Sequence, residues 1–405
     1  MASTITFFPV DNGDMTLITL ADDTTILIDI NLRERAEDEE DPSCDVIKEL
    51  RKRLKKDGKD RPYVDVFLLS HADQDHCRGI GKHFHLGPLS DYNYDPPEGE
   101  DLKIVIREVW SSPMMFRRAS KGNKLCEDAK SFNTEARRRV KLLKEKKSVL
   151  EGDRILIIGE DENGKTDGLE SYLVKVDETF NRINGKTNQY INLRVLGPLP
   201  PQEDAEEEKL SKNHSSVILQ IAFKADEKED ACLFLTGGDA EVYIWENLWQ
   251  SKKSKLSEIQ YDLLLSPHHC SWHTLSYDSW SDSENPQVNQ KAKSALSQCR
   301  EGAFIVSSSK PIKDDKNDPP CWGAKKEYLS IIKEKEERFF CTGEYSSEKS
   351  TEPLTFKVSK EVFQAPSKKS VSITGPAVIY DSTRDPKGHG LEHEGGSQTD
   401  KGQEH

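Results

Sequence analysis

No stretch of this 405-residue chain approaches ~18 consecutive apolar residues, which argues against a membrane-spanning helix. Residues Met1–Val10 lack a basic segment followed by an apolar one, so no secretory leader is expected. Basic residues are in deficit, with 58 Lys+Arg against 72 Asp+Glu and a net charge of −14, a balance unsuited to coating nucleic acid by bulk charge. The eight cysteines form no CxxC pair and no framework spacing, which suits reduced thiols. No internal repeat of solenoid length is present. The expectation from these absences is a soluble cytoplasmic protein with no membrane association.

What is present reads as α/β. Ile5–Val10 is followed by Asp11-Asn12-Gly13-Asp14, whose Asn-Gly pair predicts a tight hairpin turn, and Met15–Leu20 and Thr25–Ile30 make two further β-rich runs. Asp41-Pro42-Ser43 predicts a helix start, with Val46, Ile47, Leu50 and Leu54 on one face. Val64–Leu69 reads as a buried strand. A second set of strands is predicted at 154–158, 191–196, 217–223, 231–235, 263–265 and 304–306, with a helix beginning near Asp239. Residues from about 90 to 150 read as a charged helical insertion. Within it, Arg117–Lys147 holds twelve Lys/Arg and four Asp/Glu, a local +8 that leaves −22 on the rest of the chain. Its triplet Arg137-Arg138-Arg139, with Lys141, reads either as a phosphate-binding edge or as a solvated helix face. Residues 359–405 are poor in large apolar side chains, and a mostly disordered tail is expected after a domain spanning 1–358.

Of the 11 histidines, eight fall in three short places beside predicted strands, and aspartates join them. His71-Ala72-Asp73-Gln74-Asp75-His76 gathers four ligating side chains in six residues at the end of a strand. Imidazole nitrogen suits zinc, manganese or iron, and added carboxylate oxygen tilts the site toward manganese, iron or magnesium. An exposed polar loop with an Asp helix cap is the simpler alternative.

Leu68–His76 resembles the metal-binding signature of the metallo-β-lactamase-fold hydrolases. With Asp73 in place of the commoner His, it is most similar to the hydrolase-domain branch of the bacterial competence DNA-uptake channel protein. Other segments resemble that family's motifs in order: Val10–Asp14 its opening turn, Ile26–Asp29 its first acidic motif, Asn213–Leu219 its Asn-Ser motif, Phe234–Glu241 its Thr-Gly-Asp motif and Leu265–His269 its Pro-His-His motif. The glycine before Asp239 is doubled here, Cys270 follows the His pair, and Pro320-Cys321-Trp322 replaces a later His-Pro element.

The resemblance implies a four-layer αββα sandwich and two divalent metal ions, zinc or manganese. His71 and Asp73 would serve one ion, Asp75 and His76 the other, with Asp239 bridging, His268 closing the second site and His214 as a further candidate ligand. Asp29 would orient a ligand histidine, and Asp75 and His269 would take catalytic parts, His269 as a donor beside His268. Together with the basic segment, the resemblance implies a bacterial phosphodiesterase or nuclease acting on DNA or RNA, with charged insertions that leave room for a protein partner. A small-molecule hydrolase and a non-catalytic protein that keeps the fold are the alternatives.

Overall fold

The computed structural model describes residues 2–38, 41–119, 124–146, 149–160, 164–347, 351–358 and 363–365. Residue alternation along the strands divides the buried apolar residues into three layers. In Arg154–Ile158, Leu156 and Ile158 join one cluster while Ile155 and Ile157 join another. Thr25–Ile28 does the same, with Ile26 and Ile28 on one side and Leu27 on the other. In Tyr261–Leu265, Leu263 and Leu265 share the first cluster, whereas Leu264 belongs to a third.

The first cluster lies between two sheets. The first sheet runs in the order Leu173–Val174, Arg154–Ile158, Ile104–Ser111, Pro62–Leu68, Thr25–Ile28, Thr16–Thr19, Ser3–Phe7, Leu354–Val358, with Phe363–Gln364 at its edge. The second runs Thr179–Phe180, Ile191–Gly197, Ile218–Ala225, Lys228–Leu235, Tyr261–Leu265, Cys299–Ser307, Phe339–Cys341. Phe7 and Phe234 meet across the gap edge-to-face at 5.7 Å, and each such buried ring contributes about 1.5–3 kcal/mol. The second cluster joins the outer face of the first sheet to the helices Val46–Arg51 and Glu127–Lys146. The third joins the second sheet to the helices Val242–Lys252, Gln290–Leu296 and Trp322–Ile331. Helix, sheet, sheet, helix is the four-layer αββα arrangement. Among the described residues no helix is long and apolar enough to cross a membrane.

Both sheets change from antiparallel to parallel pairing partway across. Thr25–Ile28, Pro62–Leu68, Ile104–Ser111 and Arg154–Ile158 pair in parallel, as do Lys228–Leu235, Tyr261–Leu265 and Cys299–Ser307. Their carboxyl ends therefore gather along one edge, where parallel α/β sheets place ligand-binding loops.

Several expectations are corrected. Residues 90–150 are not one insertion, because Ile104–Ser111 is an interior strand of the first sheet, with Ile104, Ile106, Val109 and Trp110 fully buried. Asp11–Asp14 is not a tight hairpin turn: its flanking strands, Ser3–Phe7 and Thr16–Thr19, are joined by a wide loop closed from Phe8 N to Met15 O. The first helix is capped by Asp45, which accepts from Lys48 N, rather than starting at Pro42. The helix expected near Asp239 begins at Val242, after Glu241. The expected tail, 359–405, lies outside the described residues apart from 363–365.

Candidate metal centre

Pro62–Leu68 delivers Ser70–His76 to the shared edge, and a short helix, Gln74–Cys77, turns His76 inward. Asp29 ends the neighbouring strand with a left-handed φ of 54°. Its carboxylate accepts from Ser70 N at 2.6 Å, from Ser70 Oγ at 2.6 Å and from His76 Nδ1 at 2.9 Å. Such a carboxylate fixes the imidazole so that the other nitrogen, Nε2, faces the site.

Asp239 enters from the second sheet. The doubled glycine has a steric explanation at both positions. A Cβ on Gly237 would lie 2.5 Å from Pro267, and Gly238 adopts φ +48° with Ser216 and Ser70 packed against it. Ser216 Oγ then accepts from Asp239 N at 3.0 Å. His268, His269 and Cys270 follow Tyr261–Leu265 with successive φ values of 51°, 53° and 66°. This left-handed run aims both imidazoles at Asp239. Side-chain-bearing residues hold such a conformation at a cost of about 1–3 kcal/mol each, and it concentrates at functional sites.

The result is a buried carboxylate whose two oxygens face different histidines. Asp239 Oδ1 lies 3.1 Å from His76 Nε2 and 3.4 Å from His269 Nε2. Asp239 Oδ2 lies 3.4 Å from His71 Nε2 and 3.8 Å from His268 Nε2. Asp75 Oδ2 is 3.3 Å from His269 Nε2. Asp14, His76, Asp239 and His269 can each direct one ligand atom into a group whose members lie within 4.8 Å of one another. His269 Nδ1 donates to Ser308 O at 3.1 Å, which leaves Nε2 for the centre just as Asp29 does for His76.

Electrostatically the cluster is charged against its burial. Burial disfavours the His76 cation, but the Asp239 and Asp29 carboxylates raise its pKa well above 6.5. His269 is likewise opposed by burial yet is raised to about 10 by Asp239, Asp14 and Asp75. Asp239 and Asp75 are held below the usual carboxylate range by the imidazoles around them, despite burial. His71 Nε2, His76 Nε2, His269 Nε2, Asp14 Oδ1 and Asp239 Oδ1 are buried and make no hydrogen bond. Such polar atoms are costly without a partner, and a divalent cation bound by nitrogen and oxygen would satisfy them together. The donor set fits a metal ion.

The structure distributes the expected residues unevenly. His71, Asp75, His76, Asp239, His268 and His269 converge, but the paired histidines are arranged differently from the expectation. His269 lies with His76 and Asp75, whereas His268 lies with His71. Asp73 does not join the cluster: its carboxylate takes Gln74 N and the Lys212 ammonium. Burial opposes the Lys212 charge, but the Asp73 carboxylate raises its pKa above the usual lysine value. His214 also stands apart, with Nδ1 accepting from Ser211 N at 3.0 Å and Nε2 3.7 Å from Glu241.

Sequence reasoning missed Asp14 and Lys212. Asp14 stood inside the opening turn but reaches the centre only because that loop folds onto the edge, through Asp14 N to Asp75 O at 3.3 Å and Ser308 Oγ to Gly13 O at 2.6 Å.

The basic triplet is corrected as well. Consecutive helical residues are rotated by about 100° and cannot share a face. Arg139 is buried, 2.6 Å from Glu135, and donates to Ile106 O and Arg154 O. Arg138 pairs with Glu135 and Asp153 at 2.7 Å each. Only Arg137 of the three, with Lys141, is exposed.

No family model matches the chain, and no curated protein matches it. Solved structures similar to it include unliganded yeast PDE1, at 12% identity over 84% of this chain and 97% of that chain, with a TM-score of 0.38. Another is a "possible metal-dependent hydrolase" from Veillonella parvula, at 10% identity over 84% of this chain and 95% of that chain, with a TM-score of 0.33. A third is Igni18, a metallo hydrolase from the hyperthermophilic archaeon Ignicoccus hospitalis, at 8% identity over 87% of this chain and 98% of that chain, with a TM-score of 0.30.

Proposed function

We propose that the chain is a metal-dependent hydrolase whose leading substrate class is the phosphodiester, including DNA or RNA. The observation that carries this reading is the division of Asp239. Each of its oxygens faces a separate pair of imidazole nitrogens, His76 with His269 and His71 with His268. Those residues, with Asp75 and Asp14, would hold a bridged pair of divalent ions, zinc or manganese. Such ions supply Lewis acidity, bringing the pKa of water toward neutrality and offsetting negative charge that develops on a phosphoryl or carbonyl oxygen.

The chain's own residues set up that chemistry. Asp29 and Ser308 each hold one ring nitrogen of His76 and His269, which fixes the direction of the other. Asp75 is partly exposed and marks the side open to substrate. Near it, the Lys212 ammonium pairs with Asp73 and would keep further N–H donors for an anionic substrate. An ammonium in that place favours a phosphoryl group over a neutral ester. The sequence resemblance to a DNA-processing branch points the same way.

The test is an assay of the purified chain against DNA, RNA, cyclic nucleotides and carboxylic esters, with zinc and manganese in turn. Metal-dependent phosphodiester cleavage that Asp75→Ala abolishes is expected. Hydrolysis confined to carboxylic esters would overturn the phosphodiester assignment, and no metal-dependent hydrolysis of any substrate would overturn the enzyme.

A further inference from the structure

Away from the metal centre, the long helix Glu127–Lys146 borders a cavity of ≈ 880 Å³ over the outer face of the first sheet. None of its lining residues belongs to the group around Asp239. The helix has two working faces. Phe132, Ala136, Arg139 and Leu143 are buried against the sheet. Asn133, Arg137, Val140, Lys141 and Lys144 recur at helical spacing on an adjoining face, and all of them line the cavity.

The cavity has an apolar interior and a cationic lip. Phe116, Val140, Ile155 and Leu169 supply the interior, and the last two are almost completely buried. Arg137, Lys141 and Lys144 are exposed along one stripe. Their compensation is partial: Arg137 donates to Asn133, Lys144 to the carbonyl of Lys165, and Lys141 lies 3.9 Å from Glu145, the one acidic side chain among the described lining residues. Like charges one helical turn apart repel one another, and an anion seated among them would relieve that repulsion.

We infer that this cavity is a binding site for an amphiphilic anion, an alkyl chain ending in a carboxylate or phosphate head. The volume lies in the range of small-molecule sites, roughly 300–1,000 Å³. Charge complementarity sets the head group, and the aliphatic interior sets the body. Phe116 is the only aromatic residue among the described lining side chains, whereas a single-stranded nucleic acid needs a series of stacking surfaces. The site is independent of the hydrolase assignment.

Calorimetric titration of the full chain with decanoate and with decyl phosphate, each below its micellar concentration, tests this. Saturable one-to-one binding is expected, and the tighter of the two identifies the head group. The double substitution Lys141→Glu and Lys144→Glu, on exposed positions, should weaken it about tenfold or more. Val140→Trp should block it by filling the interior. Four results would overturn the site: no saturable binding, equal affinity for neutral decanol, equal affinity for inorganic phosphate, or unchanged affinity in both variants. Displacement of decanoate by an equal concentration of single-stranded DNA would assign the face to nucleic acid instead.

Discussion

Replacing Asp239 by asparagine keeps the shape of the side chain but removes the charge that His71, His76, His268 and His269 face. The expected outcome of Asp239→Asn is loss of metal binding with the fold retained, read by elemental analysis and circular dichroism. Asp29→Asn loosens His76 directly and His71 through Ser70, and metal affinity should fall about 10- to 100-fold, measured by competition with a chromophoric chelator. A pH dependence follows from His269, whose pKa is raised from 6.5 to about 10 in the absence of metal. A group raised on folding stabilises the folded chain fully below its unfolded value and loses that contribution as pH climbs toward its folded value. The metal-stripped chain should therefore lose thermal stability between pH 6.5 and about 10. Metal displaces the same proton, so apparent metal affinity should rise over the same range. A thermal midpoint in chelator that stays level or climbs across that range would contradict the charge distribution described for the cluster.

At the scale of elements, the signature at 71–76 was legible because ligands that converge from one strand end are neighbours in sequence. Asp239 and the pair His268-His269 were legible as motifs, but which imidazole faces which oxygen was not, because it depends on a left-handed run at 268–270. The Lys212–Asp73 pair joins residues far apart in the chain and had no local signal. The arginine triplet was misjudged because local charge density says nothing about which side of a helix packs inward. Arg118 shows the same point. It is fully buried, bonded to Glu207 at 3.0 Å through two nitrogens and to the carbonyls of His214 and Leu199, and so ties Pro113–Ala119 to the loop that precedes Ile218. Arg118→Ala should destabilise the chain by about 3 kcal/mol by removing the guanidinium that bonds Glu207 and two carbonyls, although Glu207 keeps Gln202 N and Arg117 beside it. Urea denaturation measures this, and a loss under 1 kcal/mol would mean the pair contributes little.

Across the whole molecule, strand alternation made the α/β class readable, and three apolar clusters between four layers give it physical form. The boundary of the basic segment was not readable, since an interior strand of the first sheet runs through residues 104–111. The net charge of −14 is likewise an average over unlike regions. Acidic and imidazole groups gather at the shared edge of the sheets, and exposed cations gather on one face of the helix 127–146.

Quantifying bound metal in the purified chain and in Asp239→Asn, at pH 8 after dialysis against zinc or manganese, tests the central claim most directly. About two equivalents per chain, the stoichiometry of a bridged pair, are predicted for the native sequence, with loss of both in the variant. A folded native chain that holds no metal, or a variant that holds as much as the native chain, would contradict it.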